Sequence, residues 1–106
     1  MMELLFVYGS LKRGCSGHRV LLEARAKFIC NARTTEKFDV EVLGGYPAAV
    51  PSSCGVQLEG ELYEVEDLSI VDYYEDVPEL YERVMVEVVC RDGRRFRAWM
   101  YVAKRT

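Results

Sequence analysis

The chain has 106 residues, half of them hydrophobic and 29% charged, with a formal net charge of −3. That length supports a single domain over residues 1–106, and that composition predicts collapse onto a core rather than disorder. The acidic balance gives no positive field to draw the protein to nucleic acid or to an anionic membrane surface.

From Glu3 to Tyr8 the sequence is apolar and rich in β-formers, which predicts a buried strand. Its apolar run, Leu4 to Tyr8, is far too short for a signal peptide or a membrane span, so the expectation is a soluble cytoplasmic domain. A glycine-rich stretch from Gly9 to Gly17 follows. Val20 to Ala26 carries enough apolar residues for about two helical turns, with Ser16 or Gly17 near the N-cap. Phe28, Cys30 and Ala32 alternate with polar neighbours and read as a strand. Thr34 to Leu43 continues in that style, with Phe38, Val40 and Val42 on one face. Gly44-Gly45-Tyr46-Pro47 reads as a strong break.

Val56 to Val65 alternates again. Asp67 is a good N-cap for a short helix from Leu68 to about Glu75, with Leu68, Val71 and Tyr74 on its apolar stripe and Pro78 ending it. Tyr81 to Cys90 is β-branched and apolar. Asp92-Gly93 marks a hairpin, and Phe96 to Val102 is its second strand. The sum is about six strands and two short helices. Short turns favour antiparallel pairing, so the expected fold is α+β, a small, mostly antiparallel barrel or strongly curled sheet around one apolar core.

Cys15, Cys30, Cys54 and Cys90 form no C-x-x-C pair, and His18 is the one histidine, so a zinc site is not expected. The expectation is buried thiols that act as small hydrophobes, with one disulfide as the alternative. Gly9 and Gly14 have the spacing of a phosphate loop, but Cys15 stands where its lysine belongs, which argues against a nucleotide site. Cys15 and His18 have no evident third member for a nucleophilic triad.

The acidic group Asp72, Glu75, Asp76 and Glu79 reads first as a solvated helix end. Glu75 is different. It falls at the helix C-terminus beside Asp76, where dipole and like charge both disfavour ionisation and raise a carboxyl pKa. A carboxylate placed against its own electrostatics is a general-base candidate. Arg91, Arg94, Arg95 and Arg97 surround the Asp92-Gly93 turn with no interleaved stacking surface, and read as a solvated tip.

These segments together resemble the gamma-glutamylcyclotransferase-like family, nearest its gamma-glutamylamine cyclotransferase branch. Phe6 to Gly14 resembles the opening strand and Tyr-Gly-(Ser/Thr)-Leu signature, and His18-Arg19-Val20-Leu21 the helix that follows. Leu43 to Ala48 looks like the family's Gly-x-Pro turn, and Gly60 to Val65 like its Gly-Glu-Leu-Tyr-Glu-Val strand. Glu75-Asp76-Val77-Pro78 with Tyr81-Glu82-Arg83-Val84, and Trp99 to Val102, complete the series in order. Cys15-Ser16-Gly17 departs from the family's usual sequence before the helix, and Ser10 replaces the commoner threonine.

The resemblance implies a small mixed β-barrel and release of 5-oxoproline from a γ-glutamyl compound, by attack of the substrate's own α-amino group on its γ-carbonyl. It implies Glu75 as the catalytic acid/base and Tyr8, Gly9, Ser10 and Leu11 as the substrate-binding loop. No metal and no other cofactor enters that chemistry. The expected partner is a small γ-glutamyl substrate, with no nucleic acid and no membrane; the oligomeric state is left open. The alternative is a non-catalytic protein that binds such a ligand on the same fold. Trp99 or Tyr101 is expected to be at least partly buried beside the site.

Overall fold

A computed structural model describes residues 2–104. Its elements are β1 (Glu3–Val7), α1 (His18–Glu23), β2 (Lys27–Leu43), β3 (Tyr46–Pro51), β4 (Val56–Val65), α2 (Leu68–Tyr74), β5 (Tyr81–Cys90) and β6 (Arg95–Ala103). The fold is α+β and strand-dominated. One six-stranded sheet runs β1-β4-β2-β3-β6-β5, with further pairings of β1 to β6 and β2 to β5. The long ladders are antiparallel, and the two parallel contacts are single bridges, Leu5 with Trp99 and Ala49 with Val102.

β2 departs from the sequence reading, which divides it in two. It is one 17-residue strand with register shifts against β4 between Phe28 and Cys30 and between Arg33 and Lys37. The second irregularity is filled by Thr34. Its buried hydroxyl donates to the Glu36 carbonyl at 2.7 Å and accepts the Leu58 N–H at 2.9 Å, so the displaced backbone stays paired.

Gly44-Gly45 is a hairpin turn rather than a plain break. Leu43 faces Tyr46 across it, and the glycines have φ of +60° and +86°, the left-handed values that a two-residue turn of this hand requires. The strand β3 that follows carries Pro47 and Pro51, which hid it in the sequence. It tolerates them because it is laddered on one side by β2 and touches β6 only at Ala49. Beyond Phe38, β2 has no β4 partner and is laddered by β3 alone. Val40 and Val42, read as on one face with Phe38, are therefore 49% and 79% exposed while Phe38 is buried.

The single core expected from the sequence is two clusters, one on each face of the sheet. Phe6, Cys30, Phe38, Leu62, Val88, Met100 and their neighbours come from all six strands and fill one side. Leu5, Val7, Leu11, Val65, Tyr81 and Tyr101 pack on the other face together with Leu21 of α1 and Val71 of α2. The alternation along β1 sends Phe6 one way and Leu5 and Val7 the other.

The cysteines also differ from expectation. Cys30 and Cys90 form a disulfide between β2 and β5, while Cys15 and Cys54 are exposed. Ala32 of β2 pairs with Cys90 of β5, and only that register brings two distant sulfurs into reach. The turn at Asp92-Gly93 is a hairpin as expected. Gly93 has φ of +93°, and Asp92 accepts the Arg94 N–H at 3.1 Å. The arginines around it are exposed; Arg94 pairs with Asp92 and Arg95 with Glu87. No helix among the described residues is long and apolar enough to cross a membrane.

Candidate active site

The end of β1, the β2–β3 turn, the C-terminal end of α2 and the walls of β5 and β6 enclose a cavity of about 290 Å³. That volume suits a small ligand. Tyr8, Gly9, Ser10 and Leu11 line one side, and Glu75 and Asp76 line the same space from α2. Leu43, Tyr46, Pro47, Tyr74, Leu80, Tyr81 and Tyr101 complete most of the wall. All five residues expected at the site thus face one cavity.

The loop is built by local hydrogen bonds. Lys12 N–H donates to the Gly9 carbonyl at 3.2 Å and Gly17 N–H to the Ser10 carbonyl at 2.9 Å. His18 Nδ1 donates to the Leu11 carbonyl at 2.9 Å, and Leu11 itself is buried. The far end is held by Glu61, the one buried carboxylate among the described residues. It accepts from Arg13 N–H at 2.9 Å, Arg13 Nε at 3.3 Å and Tyr63 Oη at 3.0 Å. Burial opposes its charge, but these bonds outweigh burial and lower its pKa. Among the described residues, no backbone acceptor takes the N–H of Gly9, Ser10 or Leu11. Gly9 itself passes close to the hairpin, where an added Cβ would sit 3.1 Å from Pro47 Cγ.

Tyr8 has a different role from the rest of the loop. Its hydroxyl donates to the Tyr101 carbonyl at 2.7 Å and accepts the Ala49 N–H at 2.8 Å. Burial raises its pKa, partly offset by the Ala49 N–H, so it stays protonated. Its ring lines the cavity while its hydroxyl joins β6 to β3. Tyr81 donates to the Pro47 carbonyl at 3.1 Å and fixes the opposite wall.

Asp67 caps α2 by accepting the Ser69 N–H at 3.0 Å, as its sequence position predicts. The helix ends in a paired closure: Val77 N–H reaches the Asp72 carbonyl at 3.0 Å and Asp76 N–H the Tyr73 carbonyl at 3.2 Å. Asp76 sits at the left-handed position of that closure, with φ of +57°. Glu75 is the cap residue and projects into the cavity rim, partly buried.

Among the described residues no side chain donates a hydrogen bond to the Glu75 carboxylate, and burial lifts its pKa from 4.5 to about 7. The direction matches the sequence expectation, but the cause does not. Desolvation produces the shift, not the helix end or Asp76, which is exposed.

The remaining acids divide. Asp76 and Glu79 are exposed, as a solvated helix end requires, whereas Asp72 is bonded to Tyr101 and Arg83. The sequence reading takes Asp72 as one of the solvated acids and gives it no partner, although its three-residue spacing from Glu75 puts both on one helix face. It also gave no role to the β3 wall or to Tyr81. Tyr101 is buried and lines the cavity; Trp99 is partly buried outside it, donating to Glu3 Oε2 at 2.7 Å. Cys15 is exposed and His18 is committed to the loop, so neither joins the site.

Comparison with known proteins gives a consistent answer. Residues 5–106 match the family described as gamma-glutamyl cyclotransferase, AIG2-like. A protein of Methanocaldococcus jannaschii named a putative gamma-glutamylcyclotransferase is 34% identical over 102 residues, covering 94% of this chain and 83% of its own. Human gamma-glutamylaminecyclotransferase is 36% identical over 102 residues, covering 88% of this chain and 66% of the human one. The crystal structure of a mouse AIG2-like protein superposes with a TM-score of 0.87 at 32% identity, covering 96% of this chain and 77% of the mouse chain. With these matches spanning nearly its whole length, the chain belongs to the gamma-glutamyl cyclotransferase, AIG2-like family and is a gamma-glutamylcyclotransferase-like enzyme.

Proposed function

We propose that this protein releases 5-oxoproline from a γ-glutamyl amine or amide, working as one domain whose curled sheet is a small barrel. The observation that carries the reading is Glu75, a carboxylate with its pKa raised to about 7, facing the Gly9–Leu11 loop across one cavity. The reaction is intramolecular. The substrate's α-nitrogen bonds to its own γ-carbonyl carbon, the bond to the leaving amine breaks, and a five-membered lactam departs.

Holding the γ-glutamyl chain folded supplies much of the rate, up to about 7–11 kcal/mol in well-oriented systems. Glu75 takes the proton that the α-ammonium must lose and returns one to the leaving amine. Its raised pKa brings it closer in proton affinity to an amine than an exposed carboxylate is. Gly9, Ser10 and Leu11 offer N–H groups for the substrate carboxylate or the developing oxyanion. Tyr8 supplies ring surface to the same wall.

The test is 5-oxoproline release from a panel of γ-glutamyl amines and γ-glutamyl dipeptides. Release that is lost in Glu75→Gln supports the proposal. Tight binding of those compounds without release would instead make this a ligand-binding protein on the family fold, and neither release nor binding would remove both readings.

A further inference from the structure

Outside the proposed chemistry lies a polar bridge between α2 and the sheet. Tyr101 Oη donates to Asp72 Oδ1 at 2.7 Å, and Arg83 Nε lies 3.0 Å from the same oxygen. Arg83 of β5 and Tyr101 of β6 are direct cross-strand partners, so two adjacent strands converge on one carboxylate of the helix. The Arg83 guanidinium also lies 4.9 Å from the centre of the Trp99 ring, which limits its freedom. The Tyr101 carbonyl is held in turn by Tyr8, at 2.7 Å. Tyr101 is thus fixed at its hydroxyl by α2 and at its backbone by the residue that opens the loop.

α2 needs such a tether. It has seven residues, too few to persist as an isolated helix. Its buried apolar residues are Leu68 and Val71, while in its last turn Tyr73 is 89% exposed and Tyr74 36%. Between Val71 and Val77, which both pack on the core, this stretch buries no apolar side chain fully, and Asp72 is its polar anchor. Asp72 also closes that turn through its backbone, since its carbonyl accepts the Val77 N–H.

We propose that Asp72, clamped by Arg83 and Tyr101, is a positioning residue that sets the depth at which α2 holds the Glu75 carboxylate in the cavity. Without the clamp, the last turn of α2 swings outward and Glu75 hydrates. The same loss frees Arg83, a cation otherwise committed to Asp72. Both changes favour the Glu75 carboxylate, so both lower its pKa. The other groups facing Glu75 are Tyr8 of β1, Tyr81 of β5 and Tyr101 of β6, whose pKa values are all raised by burial, and exposed Asp76 on its own segment. None of the three tyrosines changes charge near neutrality, and Tyr101→Phe weakens the clamp while keeping the Asp72 charge, so a Glu75 shift in that variant reads the clamp apart from the like charge that Asp72→Asn removes.

The kinetic part of this proposal rests on the cyclotransferase reading; the positional part does not. The experiment is a carboxyl-carbon NMR titration of Glu75 in the whole protein, in wild type, Asp72→Asn, Tyr101→Phe and Asp67→Ala. The last variant removes the α2 N-cap and lowers stability without touching the clamp. Glu75 is expected to titrate near 7 in wild type and in Asp67→Ala, and at least about one unit lower in Asp72→Asn. Tyr101→Phe keeps the Asp72–Arg83 pair and should give a shift of the same sign and smaller size. It stands in for Asp72→Asn if that variant does not fold.

On any γ-glutamyl compound the parent cyclises, kcat of Asp72→Asn should fall at least about tenfold with KM within about twofold. A lowered melting temperature with an unmoved Glu75 titration, as in Asp67→Ala, would overturn the proposal. Absence of turnover in wild type would sink the cyclotransferase reading and leave the titration to decide the positional one.

Discussion

The Tyr8 hydroxyl donates to the carbonyl of Tyr101 at 2.7 Å, joining the end of β1 to β6, and the same oxygen accepts the Ala49 N–H at 2.8 Å. A phenol that its position in the loop marks for substrate is thus committed, at its polar end, to the frame. Tyr8→Phe keeps the ring and deletes both bonds. It leaves the N–H of buried Ala49 and the carbonyl of buried Tyr101 without this partner. The expected cost is about 1–3 kcal/mol, read as a lower melting temperature with a wild-type denaturant slope. Melting at the wild-type temperature would show that the hydroxyl does not hold these strands together.

Glu75→Gln separates chemistry from stability. Gln keeps the size of the side chain but takes no proton, so kcat on a γ-glutamyl amine should fall by about 10²–10⁴, with KM little changed. Stability moves the other way. The folded carboxyl titrates near 7 against 4.5 for the unfolded chain, so the native state holds a proton that the unfolded state has released. Stability from this group is complete below 4.5 and is lost as pH rises through about 7. Glu75→Gln carries no such loss. Its melting temperature should exceed wild type at pH values above 7 and converge with it below 4.5. The wild-type kcat/KM should fall by about tenfold per pH unit as pH drops below about 7, where the base is protonated. A flat rate profile through this range would exclude Glu75 as the base.

Glu61 sets up the opposite pH dependence. Its pKa is lowered because the Arg13 and Tyr63 bonds outweigh its burial, so its stabilising contribution is present above 4.5 and lost as pH falls through its depressed value. Glu61→Gln loosens the far end of the Gly9–Arg13 loop while leaving Glu75 in place. At neutral pH it should lower stability by about 1–3 kcal/mol and raise KM more than it lowers kcat. The stability gap from wild type should narrow in acid. A gap that persists unchanged in acid, or an unaltered KM, would show that the ion pair does not hold the loop.

The sequence made some of this plain and concealed the rest for identifiable reasons. β4 has the bounds that its alternation predicts and β5 those of its β-branched, apolar run, and Asp67 and the Asp92-Gly93 turn act as their local chemistry requires. These signals lie within a few residues of what they control. β3 was hidden by Pro47 and Pro51, because the sequence does not say that a strand lies where prolines are tolerated. The division of β2 was a bulge filled by Thr34, which needs Leu58 opposite to be understood. Glu75 stood out by its position at a helix end, yet its raised pKa comes from burial by β1, β5 and β6, which no helical spacing reveals. Asp72 looked like another solvated acid until Arg83 and Tyr101 arrived from the hairpin of β5 and β6.

The Cys30–Cys90 bond gives a prediction that is independent of catalysis. It joins β2 to β5 across a sequence separation of 60 residues. Closing a loop of that length removes much conformational freedom from the unfolded chain, worth about 2–4 kcal/mol in folding. Both cysteines lie in the buried cluster around Phe6, Phe38 and Met100, so solvent reductants reach their sulfurs poorly in the native state. Under native conditions, a thiol reagent should therefore titrate Cys15 and Cys54, which are exposed, and leave the other two. After denaturation in reductant, all four should react. The paired substitution Cys30→Ala with Cys90→Ala should lower the melting temperature in oxidising buffer. It should make little difference when wild type is compared after full reduction, apart from the cavity left by two small side chains. Four reactive thiols in the native protein, or equal melting temperatures in oxidising buffer, would mean that β2 and β5 are held by their backbone ladder and the apolar cluster alone.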